Sequence, residues 1–229
     1  MASNLVVARG GVEYVPPISL AFWRWFFVFL ILLLFNYQII LKKIKYLKKE
    51  YKKLFFLGAM GCGVCGAFPF MAGTTTTVAN MGIIYTSSPI FIILISSYFY
   101  KERLNTFQFL GLALCFVGVI SIIAKGDVNL LVGLKFTSGD LWMLGAAVGW
   151  ALYAVFLLNW KSKFSLFSRF TIIAFFGAVS LLPFSLAENY FIRPVIFNND
   201  FYFWTIFAAI SPGIIAFSIY AQAQKYLGA

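Results

Sequence analysis

The chain has no histidine, 7 acidic residues and three cysteines, and only 11% of its 229 residues are charged. Ordinary soluble domains carry roughly a quarter charged residues. The absence of histidine removes the commonest general base and a common metal ligand. Cys62, Cys65 and Cys115 all fall inside apolar runs. C-G-V-C has the C-x-x-C spacing, but a zinc site needs about four ligands. No nucleophile–base pair or phosphate-binding loop is present, so no enzyme, metal or cofactor is implied. No Asp or Glu lies within an apolar run, which leaves no carboxylate for a proton relay or sodium site. Period-two alternation, the mark of a β-barrel, is missing too.

What is present is apolar. The chain is 62% hydrophobic with a mean hydropathy of +0.90, more apolar surface than a soluble chain of this length can bury. A membrane span needs about 20 largely apolar residues. Such runs occur at Ile18–Leu41, Leu54–Gly73, Val78–Phe99, Thr106–Ala124, Leu141–Asn159, Ser168–Ala187 and Phe201–Ala223. The first is too long and too aromatic for a secretory signal, whose apolar core is about 7–15 residues. The expected fold class is all-α, a polytopic transmembrane helical bundle.

The net charge of +11 is unevenly placed. Seven lysines crowd KKIKYLKKEYKK, Lys42 to Lys53, read as a loop, and the loops at 100–105 and 160–168 carry further basic residues. Acidic Glu13, Asp127, Asp140, Glu188 and Asp200 fall at the opposite ends of the spans. This is the positive-inside bias, and it places loops 42–53, 100–105 and 160–168 in the cytoplasm. The charge therefore reports topology rather than a nucleic-acid partner.

Small residues mark close helix packing. Gly58, Gly61, Cys62, Cys65, Gly66 and Pro69 share one face at helical spacing, and Gly145 and Gly149 do the same further on. In Val78–Phe99 the stretch IIYTSSPIF puts Pro89 after Thr86, Ser87 and Ser88. A proline inside a helix frees a carbonyl one turn earlier, at a cost of about 3 kcal/mol. In a membrane, hydroxyls or water must satisfy it. Ser88 lies about 15 Å from Val78, near mid-bilayer. Asn80, Ile84, Ser87 and Phe91 share a face, so this helix reads either as cavity lining or as a structural kink.

Trp150 and Tyr153 also lie at mid-depth, away from the interfacial belt where such residues usually sit. They form either an aromatic wall for a solute or a packed core. Ser211-Pro212-Gly213 is expected to break the last helix, with Tyr220 beyond it. Asn4 is the polar residue of the opening helix. Arg24 is a charge well inside a span, which makes it a functional candidate. The competing expectation is that it snorkels to the outer headgroups beside Trp23 and Trp25. Asn105 with Gln108 fits a helix N-cap beside Glu102 and Arg103.

Several motifs follow one another in order: SNLVVAR (Ser3–Arg9), P-x-x-L-A-F-W-R (Pro17–Arg24), T-x-A-N-x-x-x-I-x-x-x-x-P (Thr77–Pro89), K-E-R-L (Lys101–Leu104), G-D-L (Gly139–Leu141), W-A-L-Y (Trp150–Tyr153) and K-Y-L-G-A (Lys225–Ala229). Together they resemble EamA-type members of the drug/metabolite transporter superfamily. The resemblance implies ten helices in two five-helix units of opposite orientation, the inverted repeat of many carriers. Residues 1–124 would be the first repeat, with a partial helix 1 and helices 2–5. Residues 125–229 would be the second, with helices 6–8 only. On that reading the chain is a fragment lacking the start of helix 1 and helices 9 and 10.

The resemblance further implies a bacterial inner-membrane secondary transporter. It would move small organic solutes such as amino acids or related metabolites outward by alternating access. The expected cavity residues are Asn4, Asn80, Ser87, Ser88, Pro89, Trp150, Tyr153, Ser211 and Tyr220, with Arg24 as the embedded charge. The partners are the solute and the lipid bilayer, and a homodimer stays open. A non-transporting membrane subunit or scaffold, or an intramembrane lipid-modifying enzyme, are the alternatives.

Overall fold

The computed structural model describes residues 2–101, 105–124 and 137–227, and every regular element among them is helical. Helix α1 (Ala2–Gly10) runs into a 3-10 turn, Gly11–Glu13. Helix α2 (Pro17–Lys42) begins with Pro17 at its first position, where no N–H is needed. Two of its free amides, Ile18 and Ser19, donate to the Glu188 carboxylate at 3.1 and 2.7 Å, and Ser19 Oγ adds a third bond at 2.8 Å.

The second span is longer than its hydropathy suggests. Helix α3 (Ile44–Leu57), a seven-residue π-helix (Gly58–Val64) and α4 (Cys65–Ala72) run on as Ile44–Ala72. The lysine run expected as loop 42–53 is therefore mostly helix. The reason is amphipathicity: Leu54 and Leu57 are buried while Lys45, Lys48, Lys49, Lys52 and Lys53 stay exposed. The true loop after the sixth expected helix docks here. Ser162 Oγ and Lys163 N donate to Glu50 at 2.6 and 3.1 Å, and Lys43 Nζ donates to Lys163 O at 2.7 Å.

Helix α5 (Val78–Tyr85) and α6 (Ser88–Tyr100) are separated at Thr86–Ser87. Pro89 falls in the first turn of α6, so the expected kink is a two-residue break. The carbonyl four residues before Pro89 is that of Tyr85, and the Thr86 and Ser87 hydroxyls bond the two carbonyls ahead of it instead. Their Oγ atoms donate to Ile83 O and Ile84 O, each at 2.6 Å. Helix α7 (Thr106–Ala124) comes next, and Asn105 N donates to Gln108 Oε1 at 2.9 Å as the cap pattern required. Glu102 and Arg103 lie outside the described residues.

Helix α8 (Ser138–Asn159) starts in a Thr137–Asp140 capping box, and Thr76 Oγ1 also donates to Asp140 at 2.7 Å. Helix α9 is Leu166–Phe191. The final span joins α10 (Asn199–Ala208), a π-helix (Ala209–Ile215) and α11 (Ala216–Leu227). Ser211-Pro212-Gly213 thus widens the helix instead of breaking it, because a π turn accommodates the lost bond within a continuous helix.

Among the described residues six helical segments are long and apolar enough to cross a membrane, and the protein is a multi-pass membrane protein. Large apolar side chains such as Phe35, at 78% exposure, cover its outside. A water-soluble surface would not present them in such number. Within the bundle, α2 packs on α9 and α4, and α8 packs on α4, α5 and α6. The small residues of the second span serve three neighbours rather than one face. A Cβ on Gly61 would strike the Tyr153 ring, one on Gly66 would strike the Trp25 indole, and Cys62 already fills the space above Gly177. Gly149 admits Val64, and Gly145 admits Phe68. The π turn explains the change of face, since its extra residue per turn rotates the rest of the span about its axis.

Candidate functional site

Helix α8 carries a cavity near each end. The first, about 360 Å³, is lined by Tyr153, Leu157, Ser162, Ser165, Arg169 and Phe170 among others. The second, about 220 Å³, is lined by Asn4, Leu5, Cys65, Pro69, Gly82, Tyr85, Thr86 and Met143. Met143 and Leu157 are fourteen residues apart, or about 21 Å along a helix. The cavities therefore belong to opposite halves of the bundle.

Between them lies an aromatic partition. Trp150 is buried with its ring 6.3 Å from Tyr85, which lines the second cavity, and 5.4 Å from Tyr153, which lines the first. Tyr220 at 4.6 Å and Phe217 at 5.3 Å close the cluster from α11. The mid-depth position of Trp150 and Tyr153 therefore serves a shared cluster. They pack as a core, and Tyr153 also lines a cavity.

Arg24 is the polar centre. It is 1% exposed, so the snorkelling expectation is overturned. The cause is local, since acceptors inside the bundle are nearer than the headgroups. Nη1 donates to Asn4 Oδ1 at 2.6 Å, and Nη2 donates to the Pro212 carbonyl at 3.3 Å in the second π-helix. The guanidinium also lies 4.6 Å from the Trp25 ring centroid and 5.8 Å from that of Phe70. Such contacts hold a cation where water is scarce. Arg169 has a parallel arrangement, donating from Nη1 to Leu157 O at 3.0 Å. The Nε of each arginine is buried without a partner.

The remaining expected residues are dispersed. Ser88 is buried at the start of α6, Ser87 is half-buried, and Pro89 is exposed. Asn80 is exposed on α5, where its backbone N–H donates to the capping Thr77 hydroxyl at 3.2 Å. Ser211 lines a shallow groove with Tyr202 and Phe207. Since α5 ends at Tyr85, Asn80 and Ser87 do not share the continuous face that an unbroken helix would give them. Cys62 packs against Gly177, while Cys65 Sγ lies 3.5 Å from Tyr85 Oη.

Sequence reasoning misses Tyr85, Phe217 and the two buried carboxylates. Tyr85 abuts the T-S-S-P cluster, and that adjacency is the one signal that points to it. Phe217 is one of 28 phenylalanines and carries no local signal. Asp140 and Glu188 look like topology markers in the sequence. Both are buried at helix ends, committed to backbone amides and hydroxyls.

Among the described residues, six membrane-length helices that enclose cavities and a buried polar centre define a multi-pass membrane protein. Comparison with known families gives the particular kind. The EamA-like transporter family matches residues 1–124, and the chain belongs to it. It is 28% identical to the uncharacterized transporter YyaM of Bacillus subtilis, over 97% of this chain and 73% of that protein. An uncharacterized transporter of Archaeoglobus fulgidus is 27% identical over 97% of this chain and 75% of its own length. A third, YdfC of Bacillus subtilis, is 25% identical, with 100% and 72% covered.

Proposed function

We propose that this transporter moves small organic solutes, amino acids or related metabolites, outward across a bacterial inner membrane by alternating access. The observation that carries the reading is the Tyr85–Trp150–Tyr153 partition, with one cavity against Tyr85 and the other against Tyr153. A carrier must never be open on both sides at once, and a buried aromatic wall between two vestibules meets that requirement. The break at Thr86–Ser87 is the hinge. It lets α5, with Asn80 and Tyr85, swing relative to α6, with Ser88 and Pro89 at its base.

Asn4, Trp150, Tyr153 and Tyr220 line the path, while Ser211 acts from behind it through the π-helix. The two π-helices support an inverted repeat divided near residues 124 and 125. Gly58–Val64 and Ala209–Ile215 occupy the middles of the spans that the two five-helix units would place in equivalent positions. On this reading the lysine-rich helix, the 100–105 loop and the 160–165 loop are cytoplasmic, so the cavity of Arg169 faces inward.

The test is efflux of a panel of labelled amino acids from cells producing the chain. Trp150→Ala should lower efflux of the transported species by about tenfold, the scale of one lost aromatic contact set. Trp142→Ala, on the outer face of the same helix, should leave it within twofold or so. Equal effects of the two substitutions would end the partition reading.

A further inference from the structure

We infer that the transported solutes carry a negative charge, a carboxylate in the first instance, and that Arg24 is its counter-ion. The inference rests on the passage proposed above and names its substrate class. A guanidinium stays protonated in proteins, and an uncompensated charge in a low-dielectric interior is costly. Structural arginines in such places usually face an acid. Arg24 does not: no carboxylate among the described residues pairs with it, and its contacts are Asn4, the Pro212 carbonyl and the Trp25 and Phe70 rings.

Arg24 is also unsaturated. It has five donors, yet its bonds are one to an amide oxygen and one to a backbone carbonyl, and Nε has no partner. Its surroundings lead to the second cavity. Asn4, which holds Nη1, lines that cavity, as do Cys65 and Tyr85. The charge therefore sits one side chain behind the wall, and its field enters a space with no acidic lining residue. The first cavity also lacks an acidic lining residue and has Arg169 in its wall. A carboxylate entering the second cavity replaces the Asn4 amide oxygen on Nη1, turning a neutral acceptor into a charged one. Charge-assisted bonds of this kind are about twice as strong as neutral ones. The volume, about 220 Å³, admits something the size of phenylacetate, and the aromatic cluster offers the apolar remainder a surface.

The experiment compares pairs of acid and amide, from acetate and acetamide to phenylacetate and phenylacetamide, binding to the purified chain in detergent. Tryptophan fluorescence is the readout, since Trp25 and Trp150 flank the site. At least one carboxylate should bind about tenfold more tightly than its amide. Arg24→Gln should erase that difference, and Arg24→Lys should restore part of it. Asn4→Ala, which spares the arginine and frees Nη1, should keep or enlarge the preference; this variant decides the matter if Arg24→Gln does not fold. The inference is overturned if no acid in the series outbinds its amide, or if Arg24→Gln or Asn4→Ala gives the opposite result. Amide binding that is equal to acid binding and lost in Tyr85→Ala, which keeps both reporter tryptophans, would leave the passage standing and remove only the charge requirement.

Discussion

A missing Cβ decides where several helices can touch. Gly177 lies directly against Cys62, and the backbone of Gly177 is 2.7 Å from where a Cβ on Gly58 would stand. Neither neighbour is the flexible end of a side chain, so the added carbon must be met by helix displacement. Gly177→Val should therefore lower stability by about 1–3 kcal/mol, seen as a fall in the thermal midpoint in detergent. Gly111→Ala has nothing within 4 Å of the new methyl and should be neutral or slightly stabilising through helix propensity. A Gly177→Val midpoint equal to wild type would show that these helices are not in contact. The sequence offers Gly58, Gly61, Gly66, Gly145 and Gly149 as packing positions, and each lies against another helix, whereas Gly177 carries no such signal. The sequence does not offer the partners, because whether Gly66 faces Trp25 or Tyr153 depends on the rotation that the π turn introduces.

Among the elements, the ends of helices matter as much as their apolar middles. The N-terminus of α2 presents free amides inside the protein, and Glu188 near the end of α9 accepts from two of them and from the Ser19 hydroxyl. The helix dipole adds to the attraction. Ser185 Oγ donates to Ser19 Oγ at 3.1 Å, which extends the same link. Glu188→Ala would orphan three donors, so a loss of about 2–3 kcal/mol is expected from the desolvated groups. Glu188→Gln, which keeps one acceptor oxygen, should lose roughly half of that. Chemical denaturation of the purified chain measures both, and equal losses would mean that the charge and the second oxygen contribute nothing. Hydropathy could not reveal this contact. It depends on residues 169 positions apart meeting at one end of the bundle, and one acidic residue at a span boundary looks like any other.

At the scale of the whole molecule, the two cavities make a claim about sides. Thr86 is an exposed wall residue of the second cavity, and Leu158, 42% exposed, belongs to the first. Cysteines introduced at these positions should react with a membrane-impermeant maleimide from opposite faces. Thr86→Cys should label in intact cells, and Leu158→Cys only after permeabilisation. Labelling of both from one face would contradict the two-vestibule arrangement. The native Cys62 and Cys65 are buried and should add little background, and both variants are made in a Cys115→Ala chain.

The sequence by itself determined that the chain is helical and that it spans a membrane several times. Composition and run length are properties of neighbouring residues, and lipid imposes one solution on any apolar run of sufficient length. Family membership was legible for the same reason, as ordered local motifs. The tertiary structure decided what each polar residue meets. Arg24 turned inward because Asn4 and the Pro212 carbonyl met it there, and Asn80 was separated from Ser87 because α5 stops at Tyr85. Trp150 became a partition because Tyr85 and Tyr220, from distant parts of the chain, closed on it from different helices. Such encounters depend on helix rotation and crossing, which no local pattern encodes.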